Sequence, residues 1–308
     1  DYALLDGAEL GTFPHGQKYL SAPLALFVID KNSRRLVPVA IQCQQKPGPN
    51  NPIFTPADGW NWMIAKTMVE IADGNLHEAS THLGRTHLLM EPFAVSAIRH
   101  LAPTHPLSIL LVPHFEGTFA INAAAWRHLI ANQGAVDKLF GGSIKTSRGV
   151  AAWGVQSTDV MRDLLPNTFL ARGVDNHDAF PNYPYRDDAM LYWDAIHQWV
   201  RAYVGLYYPN DAVIVGDIEL QAWLREVAAH DGGRINGLPQ QGALARVDEL
   251  VEVLTFILYT CSVQHAAVNF PQYDVMSYAP CMPLAAYRPA PTRKSGAMVT
   301  TRPGRNLP

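Results

Sequence analysis

The chain has 308 residues, of which 24 are Lys or Arg and 27 are Asp or Glu, so its formal net charge is −3. A chain of this charge presents no strongly basic surface, and we expect no nucleic-acid partner. Hydrophobic residues make up 48% and charged residues 17%, which favours a large folded body over a disordered chain. No apolar run reaches the roughly 18 residues typical of a membrane span, so we expect no transmembrane segment.

The N-terminal part of the chain has a strand pattern. Residues 24–44 alternate between apolar and polar side chains, from about Leu26 to Ile41, around a polar turn at residues 31–33. Alternation on both sides of a polar turn predicts a β-hairpin. The Pro- and Asn-rich residues 47–56 predict a loop after it.

From Trp60 onward the pattern is helical. We expect a helix that runs from Trp60 into a series of histidines, interrupted at Gly74 and kinked or broken at Pro92. Further helices are predicted over residues 187–208, 217–229 and 248–269, the last of them apolar enough to be buried.

The C-terminal residues 292–308, rich in Pro, Arg, Thr and Gly, predict a loop or tail. No linker separates two parts of the chain, so the sequence predicts a single domain over residues 1–308. That domain is mainly α, with a small β-hairpin or sheet region near the N-terminus.

The three cysteines, Cys43, Cys261 and Cys281, form no C-x-x-C pair. This usage is typical of reduced, buried thiols in an intracellular protein. We therefore expect a cytoplasmic location.

The histidines carry most of the chemical information. His82 and His87 lie five residues apart, in a series with His77, His105 and His114. On an ideal α-helix, residues five apart point roughly 140° away from each other and could not hold one metal ion. The spacing therefore predicts either no shared metal or a helix widened locally into π-type bonding, which brings the two side chains onto one face.

A second pair lies far downstream. His265 and Asn269 are four residues apart, which makes them neighbours on an ordinary helix. Imidazole ligands with an added oxygen ligand favour non-haem iron over a closed structural zinc site. A zinc protease motif is excluded, because His82 comes one residue too late after His77 for H-E-x-x-H.

These residues and the motifs around them resemble the lipoxygenases, which are non-haem iron dioxygenases of polyunsaturated fatty acids. The resemblance runs from Asp1 to about Pro291 and is to the catalytic domain of plant and bacterial members. The matching segments are Trp62-Met-Ile-Ala-Lys66, Leu76-His77-Glu78, Met90-Glu91-Pro92-Phe93, Arg99-His100-Leu101, His105-Pro106, Pro113-His114, Ile121-Asn122, His265-Ala-Ala-Val-Asn-Phe270 and Gln272-Tyr273.

The resemblance implies a helical catalytic domain that binds iron, with manganese as the less favoured metal. The implied metal ligands are His82, His87, His265 and Asn269. No side chain is implied to be catalytic beyond them, because a metal-bound hydroxide takes the hydrogen atom from the substrate. Glu78 and Gln272 match a pair that connects the metal ligands to the substrate cavity.

Four further residues are implied to contact the substrate. Ala125 matches a position where Ala accompanies S-oxygenation and Gly accompanies R-oxygenation, so an S product is expected. Leu129 and Val136 match apolar residues that clamp the pentadiene and line the path of oxygen. Gly74 matches a position at the pocket floor, where the missing side chain indicates a deep pocket. For each residue the alternative is an ordinary packing role.

The chain departs from the family pattern at its ends. The family uses the carboxylate of a C-terminal Ile as a fifth protein ligand, whereas this chain ends in Asn306-Leu307-Pro308. The N-terminal β-barrel of the family also has no counterpart. These departures predict either a fragment or an unusually short member.

The expected function is dioxygenation of polyunsaturated fatty acids with a (1Z,4Z)-pentadiene, with O2 as second substrate and conjugated hydroperoxides as products. A lipid substrate also makes peripheral contact with a membrane an expectation. The alternative is a non-catalytic lipid-binding or structural remnant whose iron site is incomplete.

Overall fold

Short antiparallel strands form the N-terminal part of the computed structural model, which describes residues 1–294. The strands are β1 (Thr12–Phe13), β2 (Gly16–Gln17), β3 (Leu24–Ile29), β4 (Leu36–Gln42) and β5 (Ile53–Phe54). β1 pairs with β2, and the other three form a sheet in the order β3-β4-β5. The β3–β4 hairpin confirms the prediction over residues 24–44, whereas β5 lies within residues that were predicted to be a loop.

Helices dominate the chain from Trp60 to Asp274. The α-helices are α1 (Trp60–Leu76), α2 (Leu89–His100), α3 (Pro106–Leu111), α4 (Thr118–Ala124), α5 (Ala135–Leu139), α6 (Ile144–Gln156), α7 (Leu165–Ala171), α8 (Pro184–Tyr207), α9 (Asp211–Gly216), α10 (Ile218–Ala228), α11 (Val247–Tyr259), α12 (His265–Asn269) and α13 (Pro271–Asp274). The π-helical segments are π1 (His77–Leu88), π2 (Ala125–Leu129) and π3 (Thr260–Gln264). This mainly α architecture with a small N-terminal sheet confirms the predicted fold class.

The segment α1–π1–α2 is one uninterrupted helical stretch, which contradicts the expected interruption at Gly74 and a break at Pro92. Gly74 does not interrupt α1; it is buried there, and a Cβ at this position would lie 2.9 Å from Leu284 Cδ2. Gly74 thus allows the C-terminal segment to pack closely against α1. Pro92 does not break the helical stretch either, although it lies inside it: the Asn122 amide donates to the His87 carbonyl, which lies five residues before this proline.

Helix ends follow from local capping residues. The Asp217 side chain accepts hydrogen bonds from the backbone N–H groups of Glu219 and Leu220 at 3.1 and 3.0 Å, which begins α10. Such a cap satisfies N–H groups that have no partner within the helix. The helices predicted over residues 187–208 and 217–229 correspond to α8 and α10.

The apolar core lies mainly between α2, α8, α10 and α11. Trp223 of α10 is fully buried in it, and its indole N–H donates to the Phe93 carbonyl at 3.1 Å. In the other direction, Ser96 Oγ donates to the Trp223 carbonyl at 2.8 Å. Because unpaired polar groups are costly in a core, these bonds fix how α10 crosses α2. A second apolar cluster joins the sheet to α1 around Phe54 and Ile71.

The cysteines and the C-terminal tail differ in part from expectation. Cys43 is buried and Cys261 is half-buried, and burial raises the pKa of both thiols to about 12. Cys281 is exposed, so the prediction of a buried thiol was wrong there. Most of the predicted tail, residues 295–308, lies outside the described residues.

Two glycines let π1 and α6 approach closely. A Cβ on Gly84 of π1 would lie 2.7 Å from the Ala151 carbonyl oxygen, and a Cβ on Gly154 of α6 would lie 2.8 Å from Ser80 Oγ. The backbones therefore touch where the two glycines meet. This contact packs π1 directly against α6.

We expect Gly84→Ala to destabilise the protein by about 1–3 kcal/mol, because the added methyl group would overlap the α6 backbone. Gly149→Ala is the matched control: Gly149 is an exposed residue of α6, and a Cβ added to it would have no atom within 4 Å. Better helix propensity should make that variant neutral or more stable, by up to about 1 kcal/mol. Urea unfolding measures the stability of both variants. Equal effects of the two substitutions would show that π1 and α6 are loosely packed against each other.

Candidate metal centre

Three imidazole rings meet between π1 and α12. The Nε2 atoms of His82 and His87 lie 3.3 Å apart, and those of His87 and His265 lie 3.0 Å apart. The residues between His82 and His87 are π-helical, which places both rings on one face of π1. The predicted widening of the helix is therefore confirmed. Within residues 1–294 these histidines form the one cluster of His, Cys, Asp and Glu side chains with the geometry of a metal site.

Two of the three rings, those of His87 and His265, favour the uncharged form. Burial lowers the pKa of His87 to about 4, and the neighbouring His82 and His265 lower it further in the same direction. Burial, followed by the charge of His82, also lowers the pKa of His265. Neutral imidazoles offer nitrogen lone pairs, and such lone pairs at this separation suit a transition-metal ion.

Asn269 lies four residues after His265 at the end of α12, which places its side chain one helical turn from that ring. π3 immediately precedes α12, so both helices that bear the histidines are π-helical next to them. The three converging imidazoles fit a transition-metal centre, and the amide of Asn269 stays the further ligand that the resemblance implies.

Glu78 connects the histidines to the C-terminal segment. Its carboxylate accepts from His77 Nδ1 at 2.9 Å, His82 Nδ1 at 3.3 Å and Gln272 Nε2 at 2.6 Å. Burial alone would raise the pKa of Glu78, but these hydrogen bonds outweigh it and lower the pKa to about 2. A carboxylate at Nδ1 holds that proton on His82 and leaves the Nε2 lone pair toward the other rings. The structure thus brings together the two residues paired by resemblance, Glu78 and Gln272.

Asn122 is a buried contact that the sequence did not reveal. It is 1% exposed, and its amide donates to the His87 carbonyl at 3.1 Å and to Glu91 Oε2 at 2.7 Å. Pro92 has no backbone N–H, so it cannot donate a hydrogen bond to a carbonyl of the preceding turn. The Asn122 amide supplies a donor to the His87 carbonyl instead. A proline inside a helical pattern, together with an asparagine among apolar residues, was the available signal.

An apolar cavity of about 320 Å³ opens beside His82 and His87. Its lining residues are Glu78, Ala79, His82, Leu83, His87, Ile121, Ala125, Leu129, Ile130, Ala135, Val136, Leu139, Phe140, Ser147, Gln272, Met276 and Leu284. Ala125, Leu129 and Val136 thus lie in the cavity wall, where the resemblance expected substrate contacts. Gly74 is not among the lining residues: Leu284 packs over it and itself lines the cavity, so Gly74 does not deepen the pocket.

The other histidines of the series have separate positions. His77 binds Glu78, and His105 caps α3 while its Nε2 contacts Asp217 Oδ2 at 3.1 Å. His114 lies with His87 and His265 on a small cavity of about 90 Å³, and burial lowers its pKa.

Two continuous helical stretches, Pro106–Leu129 and Val247–Asp274, are long and apolar enough to cross a membrane. Within them, 33% and 56% of the most apolar window is buried inside the protein. Core helices satisfy the same criterion, so these stretches are weak evidence for a membrane span and leave the expected absence of one untested.

Comparison with known proteins identifies the family. A lipoxygenase family model matches residues 15–303. The chain is 42% identical to a linoleate 9/13-lipoxygenase of Pseudomonas aeruginosa, over 95% of this chain and 44% of that protein. A hydroperoxide isomerase of Homo sapiens is 38% identical, over 98% of this chain and 42% of that protein. The fold matches a coral 8R-lipoxygenase with a TM-score of 0.88 at 36% identity, over 96% of this chain and 44% of that chain.

The chain therefore belongs to the lipoxygenase family. It spans less than half the length of these relatives. The relatives also carry more than one named activity, so membership alone does not decide what this chain does.

The metal-free protein should lose stability as the pH falls from about 6.5 to about 4. The pKa of His87 is lowered to about 4 in the folded state, against an ordinary value of 6.5, so the unfolded chain takes up the proton first. The stability linked to His87 is complete above pH 6.5 and lost as the pH falls through about 4. Urea unfolding of the wild-type protein and of His87→Gln checks this, since the variant should lose less stability over the same interval.

Proposed function

We propose that this chain carries the metal site and part of the substrate cavity of a lipoxygenase, which dioxygenates polyunsaturated fatty acids to conjugated hydroperoxides. The observation that carries the proposal is that three imidazoles converge and that two of them, those of His82 and His87, line an apolar cavity. A cavity with this mostly apolar lining accepts a hydrocarbon chain.

His82, His87, His265 and Asn269 would hold the metal. Iron is favoured over manganese, because manganese prefers carboxylate, carbonyl and water oxygens and this cluster is mostly imidazole. Bound iron would supply the one-electron acceptor needed to take a hydrogen atom from the central carbon of a (1Z,4Z)-pentadiene.

The chain's own residues orient the ligands and the substrate. Glu78 and Gln272 fix the ring of His82 and keep its Nδ1 proton in place. Ala125, Leu129 and Val136 present apolar surface to the pentadiene and leave space for O2 beside the small Ala125 side chain. The same apolar wall keeps water away from a radical formed on the substrate.

Two other outcomes are distinguished by experiment. A non-catalytic lipid-binding remnant would bind fatty acid without metal-dependent oxidation. The likeness to a hydroperoxide isomerase allows a chain that rearranges hydroperoxides and forms none. The likeness to a linoleate lipoxygenase, at higher identity, supports dioxygenation first.

We expect the purified chain to retain about one iron per molecule and to form conjugated diene from linoleate. His265→Ala should lose both, because one of three imidazole ligands is removed, whereas His230→Ala, at an exposed histidine, should keep both. Elemental analysis and ultraviolet absorbance of the diene measure the two properties. Stoichiometric iron with diene formation in His265→Ala would contradict the ligand assignment. Consumption of added hydroperoxide without diene formation would instead indicate an isomerase.

Ala125→Gly should change the chirality of the hydroperoxide from mainly S to mainly R. Ala125 is 5% exposed and faces the cavity, so loss of its methyl group opens a different position for O2. Ala124→Gly is the matched control, because Ala124 is exposed and does not line the cavity. Chiral chromatography of the products measures the effect. An equal shift in both variants would trace the change to the helix backbone and not to the cavity.

A further inference from the structure

Lys18 is a charged side chain with no exposed surface. It follows β2, its relative exposure is 0%, and its ammonium donates to the carbonyls of Asp137 at 2.6 Å and Lys138 at 3.2 Å. Burial lowers its pKa, and the nearby Asp137 opposes that effect. An ammonium is costly to bury unless it is well paired, so its position calls for a physical reason.

The carbonyls that Lys18 binds belong to the last turn of α5. The final carbonyls of a helix have no partner within it, and a cation at this end also interacts favourably with the helix dipole. α5 has only five residues, far too few to be stable without outside contacts. Its other end is held by the Gln133 N–H, which donates to Asp137 Oδ2 at 2.9 Å.

α5 is also part of the cavity wall. Ala135, Val136 and Leu139 all line the apolar cavity beside the histidines. Lys18 therefore binds α5 from the N-terminal region of the chain, 119 residues away in sequence. Gly11 makes the fit possible, since a Cβ there would lie 2.6 Å from Lys18 Cε.

We propose that Lys18 is a positioning residue that holds α5 in place and thereby sets the width of the cavity that receives the acyl chain. The inference rests on the proposed function for its substrate class. Lys18 lies outside the histidine cluster, so its loss should weaken binding of the acyl chain and leave the chemical step intact.

The test compares Lys18→Met with the wild-type protein and with Lys145→Met. Met fills similar volume but donates no hydrogen bond, and Lys145 is an exposed lysine whose side chain is 86% accessible. Oleate is the probe, because its single double bond gives no pentadiene and its binding needs no turnover. We expect the calorimetric Kd of Lys18→Met to rise about tenfold, which corresponds to ~1.4 kcal/mol, and that of Lys145→Met to match the wild type.

With linoleate, the KM of Lys18→Met should rise by a similar factor, while kcat changes by less than about twofold. The reason is that the variant loses binding that the bound substrate and the transition state share, and keeps the contacts specific to the transition state. A merely unstable variant would lose active protein and lower kcat. If Lys18→Met does not fold, Gly11→Ala is measured instead, because its methyl group would overlap Lys18 Cε and displace the lysine, which predicts the same rise in Kd.

An oleate Kd in Lys18→Met or Gly11→Ala within about twofold of the wild-type value overturns the inference. Absence of oleate binding by the wild-type protein overturns it as well. If the wild-type protein binds oleate and Lys18→Met weakens that binding, but linoleate is not oxidised, the inference holds and the proposed dioxygenation fails.

Discussion

The site depends on the π-helical bonding of π1. Five residues separate His82 from His87, and only a helix with i→i+5 bonding places residues five apart on one face. Glu78, four residues before His82, binds the far nitrogen of that ring. Were this segment an ordinary α-helix, the two rings would diverge and His265 would face at most one of them.

Neighbouring segments support this unusual helix. π bonding usually extends over a single turn, whereas π1 has 12 residues. Gly84 lets the α6 backbone pack directly against π1, and Asn122 donates to the His87 carbonyl where the widened bonding ends. Both contacts come from segments far along the chain, so the ligand geometry is a tertiary property that the local sequence does not determine alone.

The sequence predicted those features that follow from spacing. The five-residue interval implied π1 if His82 and His87 share one metal, and alternation implied the β3–β4 hairpin. Features that depend on distant packing were missed. The four-residue interval from His265 to Asn269 fits an ordinary α-helix, so the spacing did not predict π3, which directly precedes His265. The expected effect of Gly74 on pocket depth was wrong because Leu284, 210 positions later, covers that glycine. The burial of Lys18 was likewise invisible, since it requires the carbonyls of α5.

The charges around the site explain how a metal centre can adjoin a cavity for hydrocarbon. His87 and His265 are held uncharged by burial, so these ligands bring no cation to the cavity. The carboxylate of Glu78 is ionised, but its oxygens are occupied by His77, His82 and Gln272 and are not left facing apolar surface. A charge paired in this way orients a ligand without the cost of an unpaired buried ion. The polar network therefore lies at one edge of the cavity, and apolar side chains form most of the remaining wall. Some of those side chains belong to α5, whose position depends on Lys18, a residue that does not line the cavity.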